Sequence, residues 1–182
     1  MALQEYNRKR DFRKTSEPKG KKAASNGELP LFVIQKHAAS RLHYDVRIEH
    51  KGVLVSFAVP KEPSMSLSVK RLAIHVEDHP LDYAAFEGDI PEGEYGAGHV
   101  VIWDKGTYSY PGVSDRTEIS KRVEHGIRKG HILVELHGVK LKGRFSFIKL
   151  KNDDQKGDNW LFFRTGMKMR MLLKCARLIL LQ

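Results

Sequence analysis

Leu42-His43-Tyr44-Asp45-Val46-Arg47-Ile48-Glu49 alternates between apolar and polar side chains from end to end. A period of two is that of a half-buried strand, because successive side chains of an extended chain point to opposite faces. Leu42, Tyr44, Val46 and Ile48 share one face, and His43, Asp45, Arg47 and Glu49 share the other.

Working outward, the same kind of run recurs at Leu31–Gln35, Val53–Val59, Leu72–Val76, His99–Trp103, Gly106–Tyr110, Ile132–Leu136, Arg144–Leu150 and Trp160–Arg164. Val, Ile, Phe and Tyr dominate these short runs, which suits strands. Turn residues separate them: Lys51-Gly52, Val59-Pro60, Gly88, Pro91-Glu92-Gly93, Gly96-Ala97-Gly98, Pro111-Gly112 and Gly138. Many short strands at this spacing predict a mainly β protein, a barrel or a sandwich. The stretch Ser114–Lys129 can hold one short helix, with Ser114 and Thr117 as candidate N-caps. No internal repeat is present.

The termini differ from this body. Residues 1–30 carry eight cations (Arg8, Lys9, Arg10, Arg13, Lys14, Lys19, Lys21, Lys22) against Glu5, Asp11, Glu17 and Glu28. With Pro18, Gly20, Ser25, Asn26 and Gly27 among them, they read as a flexible basic arm. The body is expected over residues 31–165. In 166–182, Met169, Leu172, Leu173, Ala176 and Leu180 recur at helical spacing, interspersed with Lys168, Lys174 and Arg177. That tail is too short and too charged to span a bilayer.

The 182 residues carry a net charge of +10, with a pI near 9.7, which favours a polyanionic partner such as nucleic acid. The N-terminus lacks the apolar core of a signal peptide, so the expected location is cytoplasmic. The single cysteine, Cys175, excludes an intrachain disulfide and a cysteine-based zinc ribbon. A metal site must therefore draw on the nine histidines and on carboxylates.

His43 and Asp45, neighbours on one strand face, can reach a single cation, and His37 can fold back across Ala38-Ala39-Ser40 as a third ligand. Two nitrogens and one oxygen suit Mn²⁺, Fe²⁺ or Zn²⁺ better than Ca²⁺ or Mg²⁺. Arg47 cannot ligate metal, but its planar fork suits phosphate oxygens. Metal and arginine together offset the charge that develops in phosphoryl transfer. A wet, salt-bridged surface strand accounts for the same four residues. Further along, His79 and Tyr83 can contact phosphate or donate protons, with Glu77 and Asp78 to orient them, while His75 sits in a packing position. Lys61 and Arg71 are solitary cations. The run Ile90–Gly98 reads as tight turns rather than a nucleotide-binding loop, since no strand–helix pattern surrounds it.

Phe32-Val33-Ile34-Gln35-Lys36-His37, Leu42-His43-Tyr44-Asp45-Val46-Arg47, His75-Val76-Glu77-Asp78-His79-Pro80 with Tyr83, Phe86-Glu87-Gly88 and Ile90-Pro91-Glu92-Gly93-Glu94-Tyr95-Gly96 follow one another in order. Trp103-Asp104-Lys105-Gly106-Thr107-Tyr108 and Asn159-Trp160-Leu161 continue the series. Together they resemble the 3′-phosphoesterase domain of bacterial DNA ligase D and its free-standing relatives, from about residue 5 to residue 165. The resemblance implies a compact β-barrel of about eight strands with a crescent groove. It implies a manganese-dependent site that removes a 3′-terminal ribonucleotide and then the remaining 3′-phosphate during strand-break repair. Other divalent transition metals fit the same ligands.

In this family the metal ligands correspond to His37, His43 and Asp45, and the phosphate-contacting and catalytic positions to Arg47, His79 and Tyr83. Lys61, Arg71 and Glu77 correspond to supporting substrate contacts. Arg10, Asp11 and Glu17 match polar positions of the family's N-terminal segment, tied to the diesterase step. The implied partners are DNA or RNA–DNA primer 3′ ends, with a repair ligase, polymerase or end-binding protein on separate chains, since 182 residues hold no such module. A monomer associated with the nucleoid during repair is the expectation. The tail from Met167 does not resemble the charged continuation such a domain would have.

Two other readings use the same residues. A non-catalytic module that only holds nucleic-acid ends needs the basic arm but no metal. An iron oxygenase with two histidines and one carboxylate is superficially allowed by His43-Tyr44-Asp45, but it has no use for a cationic arm.

Overall fold

The computed structural model describes residues 3–23, 26–151 and 158–166. Its strands are β1 (Leu31–Ala38), β2 (Leu42–His50), β3 (Val53–Val59), β4 (Lys70–His75), β5 (His79–Pro80), β6 (Gly88–Ile90), β7 (Gly98–Ser109), β8 (His131–Gly138), β9 (Lys142–Lys149) and β10 (Asp158–Arg164). Two helices, α1 (Gln4–Arg8) and α2 (Arg116–Lys129), and a 3₁₀ turn at Leu81–Ala85 complete the described elements. Hydrogen bonding runs β1-β2-β3-β4-β10-β9-β8-β7 and returns from β7 to β1, which closes an eight-stranded antiparallel barrel. Short β5 and β6 pair with β3 and β7.

The alternation of residues 42–49 has a direct structural cause. Tyr44, Val46 and Ile48 point into the barrel, where they join Phe32, Ile34, Val55, Phe57, Phe145, Phe147, Trp160 and Phe162. The aromatic rings interlock, with Phe57–Phe147 and Phe147–Phe162 centroids each 4.6 Å apart. Truncating one such ring to alanine costs roughly 3–5 kcal/mol, and the interlocked rings make the barrel interior a packed core. One end is closed by α2, which sends Ile119 and Val123, four residues apart on one face, into the same cluster. Asp115 caps this helix by accepting from the Glu118 amide at 2.8 Å, in place of the expected Ser114 or Thr117. Gly130 ends it in the left-handed conformation, φ 75°.

Two differences from the sequence expectation position the site. First, His99–Trp103 and Gly106–Ser109 belong to one twelve-residue strand, β7, and the expected Tyr110 lies just beyond its end. Its pairing with β1 jumps from Ile34↔Asp104 to Gln35↔Ile102, so Trp103 is an extra, bulged residue. The bulge inverts the alternation. Val100 faces the outer layer while Tyr108 faces the core, which makes one strand look like two in sequence. Second, residues 3–23, read from composition as part of a mobile arm, lie against the outer wall of β1–β3. Leu3 and Tyr6 are buried there with Val53, Leu54, Leu81, Tyr83, Phe86 and Val100, and the Ala23 amide bonds Gly52 O. Two apolar anchors one helical turn apart, with buried polar partners described below, hold this segment where charge count alone predicts solvation.

Among the described residues, no helix is long and apolar enough to cross a membrane. The helical spacing of Met167–Gln182 lies outside the described residues.

Candidate metal centre

The polar face of β2 looks outward, towards the layer formed by residues 3–23 and 77–90. β1 extends past the expected Gln35 to Ala38, and its antiparallel register sets His37 directly opposite His43 and Gln35 opposite Asp45. The short 39–41 connection thus delivers His37 to the same patch as the β2 residues, which strand alternation alone does not do.

Donor atoms of His37, His43 and Asp45 all lie within 4.8 Å of one another. His37 Nδ1 is 3.6 Å from Asp45 Oδ2, and His43 Nε2 is 3.7 Å from Asp45 Oδ1. Both separations are too long for hydrogen bonds. Ligands about 2.1 Å from a shared cation stand about 3.0–3.4 Å apart, so a small closure fits one ion. The hydrogen bonds on the far side of each ring fix the tautomers. His37 Nε2 lies 2.9 Å from Gly96 O, and His43 Nδ1 lies 2.9 Å from Arg41 O. A carbonyl only accepts, so those nitrogens carry the protons, and the nitrogens facing Asp45 keep their lone pairs. Three acceptors therefore face one another with no hydrogen between them. That donor set fits a divalent transition metal, and an ordinary surface salt bridge does not explain it. Gly96 reaches His37 from a left-handed conformation, φ 79°, which gives the tight turns of residues 91–98 a part in the site.

Asp45 is buried, which by itself would raise its proton affinity. The adjacent Arg47 guanidinium outweighs burial and holds the carboxyl well below the usual range. Arg47 is 3% exposed. It donates from Nη2 to Asp45 (3.1 Å) and from Nε to Gln35 Oε1 (2.8 Å), and it lies 4.8 Å from the Tyr83 ring centre. Its Nη1 is buried without a partner among the described residues. A buried donor left unpaired costs roughly 1–3 kcal/mol, and an anionic oxygen is the group that would relieve it.

Gln35, fully buried, is the residue that sequence reasoning passed over. Its Oε1 accepts from Arg47, and its Nε2 donates to the carbonyls of Tyr83 (3.0 Å) and Phe86 (2.9 Å). It sits two residues before His37 on the same strand face, and extending the alternation back from His37 would have found it.

His79 is also buried. Its Nδ1–H donates to Glu77 O (2.9 Å), and its Nε2 accepts from Arg10 Nη2 (3.3 Å). Burial first, then the charges of Arg47 and Arg10, push its pKa well below the ordinary imidazole value, so the ring is neutral. Tyr83 donates its hydroxyl to Glu17 Oε1 at 2.9 Å, and burial pushes its ionisation far up. Glu17 also accepts from Arg10 Nε (2.9 Å) and Thr15 (3.0 Å). Arg10 stacks on Tyr6 at 3.8 Å and, with Lys9, pairs with Glu77. Arg10 and Glu17 are thus the roof of the site, whereas Asp11 pairs with Arg13 at the surface.

Lys61 is exposed, and Arg71 bonds Glu62 O at 2.7 Å. Among the described residues, no hydrogen bond or ion pair joins either to Asp45, Arg47 or His79. His37, Asp45, Arg47, His79 and Tyr83 are all buried under this roof, and His43 is the most open of the group.

A family model described as the DNA ligase D 3′-phosphoesterase domain matches residues 35–149. The chain is 51% identical over 148 residues to the multifunctional non-homologous end joining protein LigD of Pseudomonas aeruginosa, covering 81% of this chain and 16% of that protein. It is 46% identical over 163 residues to its namesake in Mycolicibacterium smegmatis, covering 89% of this chain and 20% of that protein. The chain thus spans about one-sixth to one-fifth of the length of these relatives. The likeness takes in both strands of the metal patch together with Gln35, Arg47, His79 and Tyr83, and the chain belongs to the DNA ligase D 3′-phosphoesterase domain family.

Proposed function

We propose that this domain is a manganese-dependent phosphoesterase that heals the 3′ ends of DNA or RNA–DNA primers during strand-break repair. It would hydrolyse the last phosphodiester to release the 3′-terminal ribonucleoside, leaving the phosphate on the new 3′ end, and then hydrolyse that 3′-phosphate to a 3′-OH. The observation that carries this reading is the meeting of three lone-pair donors, on His37, His43 and Asp45, beside an arginine whose buried Nη1 has no partner. The set suits Mn²⁺.

A bound divalent ion would neutralise phosphate charge and polarise the phosphorus–oxygen bond. Arg47, held by Gln35 and Asp45, presents Nη1 to a phosphate oxygen. Burial first, and then two arginines, keep His79 unprotonated, and an incoming phosphate offsets the charge of the arginines. Binding therefore raises the proton affinity of Nε2 and makes it a donor to the phosphate or the leaving oxygen. Tyr83 stays neutral and steadies Arg47 from below. Glu77 tethers Lys9 and Arg10 beside His79. We assign Lys61 and Arg71 to phosphates further along the strand, and Arg10, Asp11 and Glu17 to the diesterase step.

The non-homologous end joining named for the relatives suggests the setting, in which we read the domain as a monomer associated with the nucleoid during repair. The test is His43→Ala, assayed in manganese on a primer bearing one 3′-terminal ribonucleotide and on one bearing a 3′-phosphate. Both reactions should be lost, and undiminished trimming would overturn the assignment. The burial of Arg47, His79 and Tyr83 favours a second reading, an end-binding module without turnover. That module predicts salt-sensitive DNA binding and no product with any metal.

A further inference from the structure

A cleft of about 380 Å³ opens beside the metal centre, lined by Glu5, Lys9, His75, Val76, Glu77 and Tyr95. Three of its residues are tied to the site through the backbone. Tyr95 precedes Gly96, whose carbonyl fixes His37. The Glu77 carbonyl fixes His79, and Lys9 precedes Arg10, which contacts His79. Whatever occupies the cleft is therefore next to whatever occupies the phosphate position.

The chemistry of the lining is specific. Tyr95 is a large aromatic side chain left 48% exposed, so part of its ring is open to a ligand. The Lys9 ammonium lies 4.6 Å from its ring centre and donates to its hydroxyl at 3.3 Å. Lys9 also pairs with Glu5 (2.9 Å) and Glu77 (3.2 Å), so cation and ring are fixed relative to each other. An aromatic platform, a tethered cation and carboxylate acceptors suit a flat heterocycle carried on a hydroxylated sugar. The volume accommodates one nucleoside.

We propose that this cleft receives the nucleoside attached to the phosphate at the metal centre, with its base stacked on Tyr95. The assignment rests on the phosphoesterase reading above and adds to it a residue that senses the base. Stacking is sequence-tolerant, so Tyr95 favours the presence of a base over its identity.

The test compares two primers, one ending in a 3′-terminal adenosine ribonucleotide and one ending in a 3′-terminal abasic ribose, with wild type, Tyr95→Leu and Tyr95→Phe in manganese. Wild type and Tyr95→Phe should process the base-bearing end about 10-fold faster, the size of one stacking contact. Tyr95→Leu should bring the ratio to about one, through the slower processing of the base-bearing end. A ratio kept in Tyr95→Leu overturns the proposal, as does an equal fall at both ends, the result expected if Tyr95 only supports Gly96 and His37. Absence of product from wild type on either primer overturns the phosphoesterase reading and this assignment with it.

Discussion

Asp45 and Glu49 stand four residues apart on the same face of β2, both buried, and each beside an arginine. Glu49 accepts from the Leu31 amide at 2.9 Å and from Arg116, which also bonds Gly27 O at 2.7 Å. Its bonding capacity goes into clamping the start of β1 and the first turn of α2. Asp45 takes one hydrogen bond from Arg47 and turns its remaining lone pairs towards two imidazole nitrogens that also bring lone pairs. Equal burial and equal charge thus give a staple at one end of the strand and a binding site at the other. The difference is unspent bonding capacity, which burial makes costly and a ligand redeems.

Substitution at the two acids should separate these roles most sharply. Asp45→Asn should lower 3′-phosphate release by at least ~10³-fold and abolish manganese binding by calorimetry. Glu49→Gln should keep activity within about threefold while urea unfolding records a loss of roughly 1–3 kcal/mol, the cost of weakening a buried ionic hydrogen bond. Comparable inactivation by both changes would break the contrast.

Gln35→Leu asks whether Arg47 depends on its buried neighbour. Loss of the Nε acceptor should reduce kcat/KM by roughly 10–100-fold with manganese affinity intact, much as loss of a group that orients a ligand does. A fall in manganese affinity of the same size would move Gln35 from phosphate binding to metal support.

Acid should affect the two regions at different pH. The folded pKa of His79 is depressed, so its neutral form stabilises the fold fully above the unfolded value of 6.5, and that stability is lost as pH falls below it. The slope reaches at most about 1.4 kcal/mol per pH unit for one proton. Burial depresses His50 and His131 in the same sense, so His79→Gln should flatten, not abolish, the fall in metal-free stability between pH 7 and 5. Asp45 is depressed from 3.8, so its share is lost only in stronger acid. An unchanged slope in His79→Gln would mean that folding does not depress the proton affinity of this ring.

The smallest effect is expected at Asp11, whose carboxylate accepts from the amide and the surface guanidinium of its neighbour Arg13. Asp11→Ala should leave 3′-phosphate release within about twofold.

Local features were legible in the sequence, and long-range ones were not. The alternation of residues 42–49 gives the strand, its inner face and three of the four residues at the metal centre. It cannot give His37, because that residue arrives through the pairing of β1 with β2. The bulge at Trp103 is hidden for a related reason: an inverted alternation reads as a strand break, and only the partner strand reveals one continuous ladder. The arm misleads because charge counting treats every cation as solvated, whereas Arg10 is bound by Glu17, Glu77 and His79, the last two more than sixty residues away. Tyr83 and Glu17 meet across 66 positions, and neither carries a local mark of the other.

The two faces of the β1–β2 hairpin also lock its register. Inner positions answer to the aromatic core and outer positions to the metal patch, and they interleave one by one along β2. A slip of β2 by one residue against its neighbours would exchange the two sets, sending Asp45 and Arg47 among the phenylalanines and Tyr44 and Val46 towards solvent. An inserted residue is therefore absorbed by the connection at residues 39–41, where the chain is free to lengthen, and not by the strand. Change is cheap in that turn, whereas a shift of one within β2 takes away the core and the metal patch together.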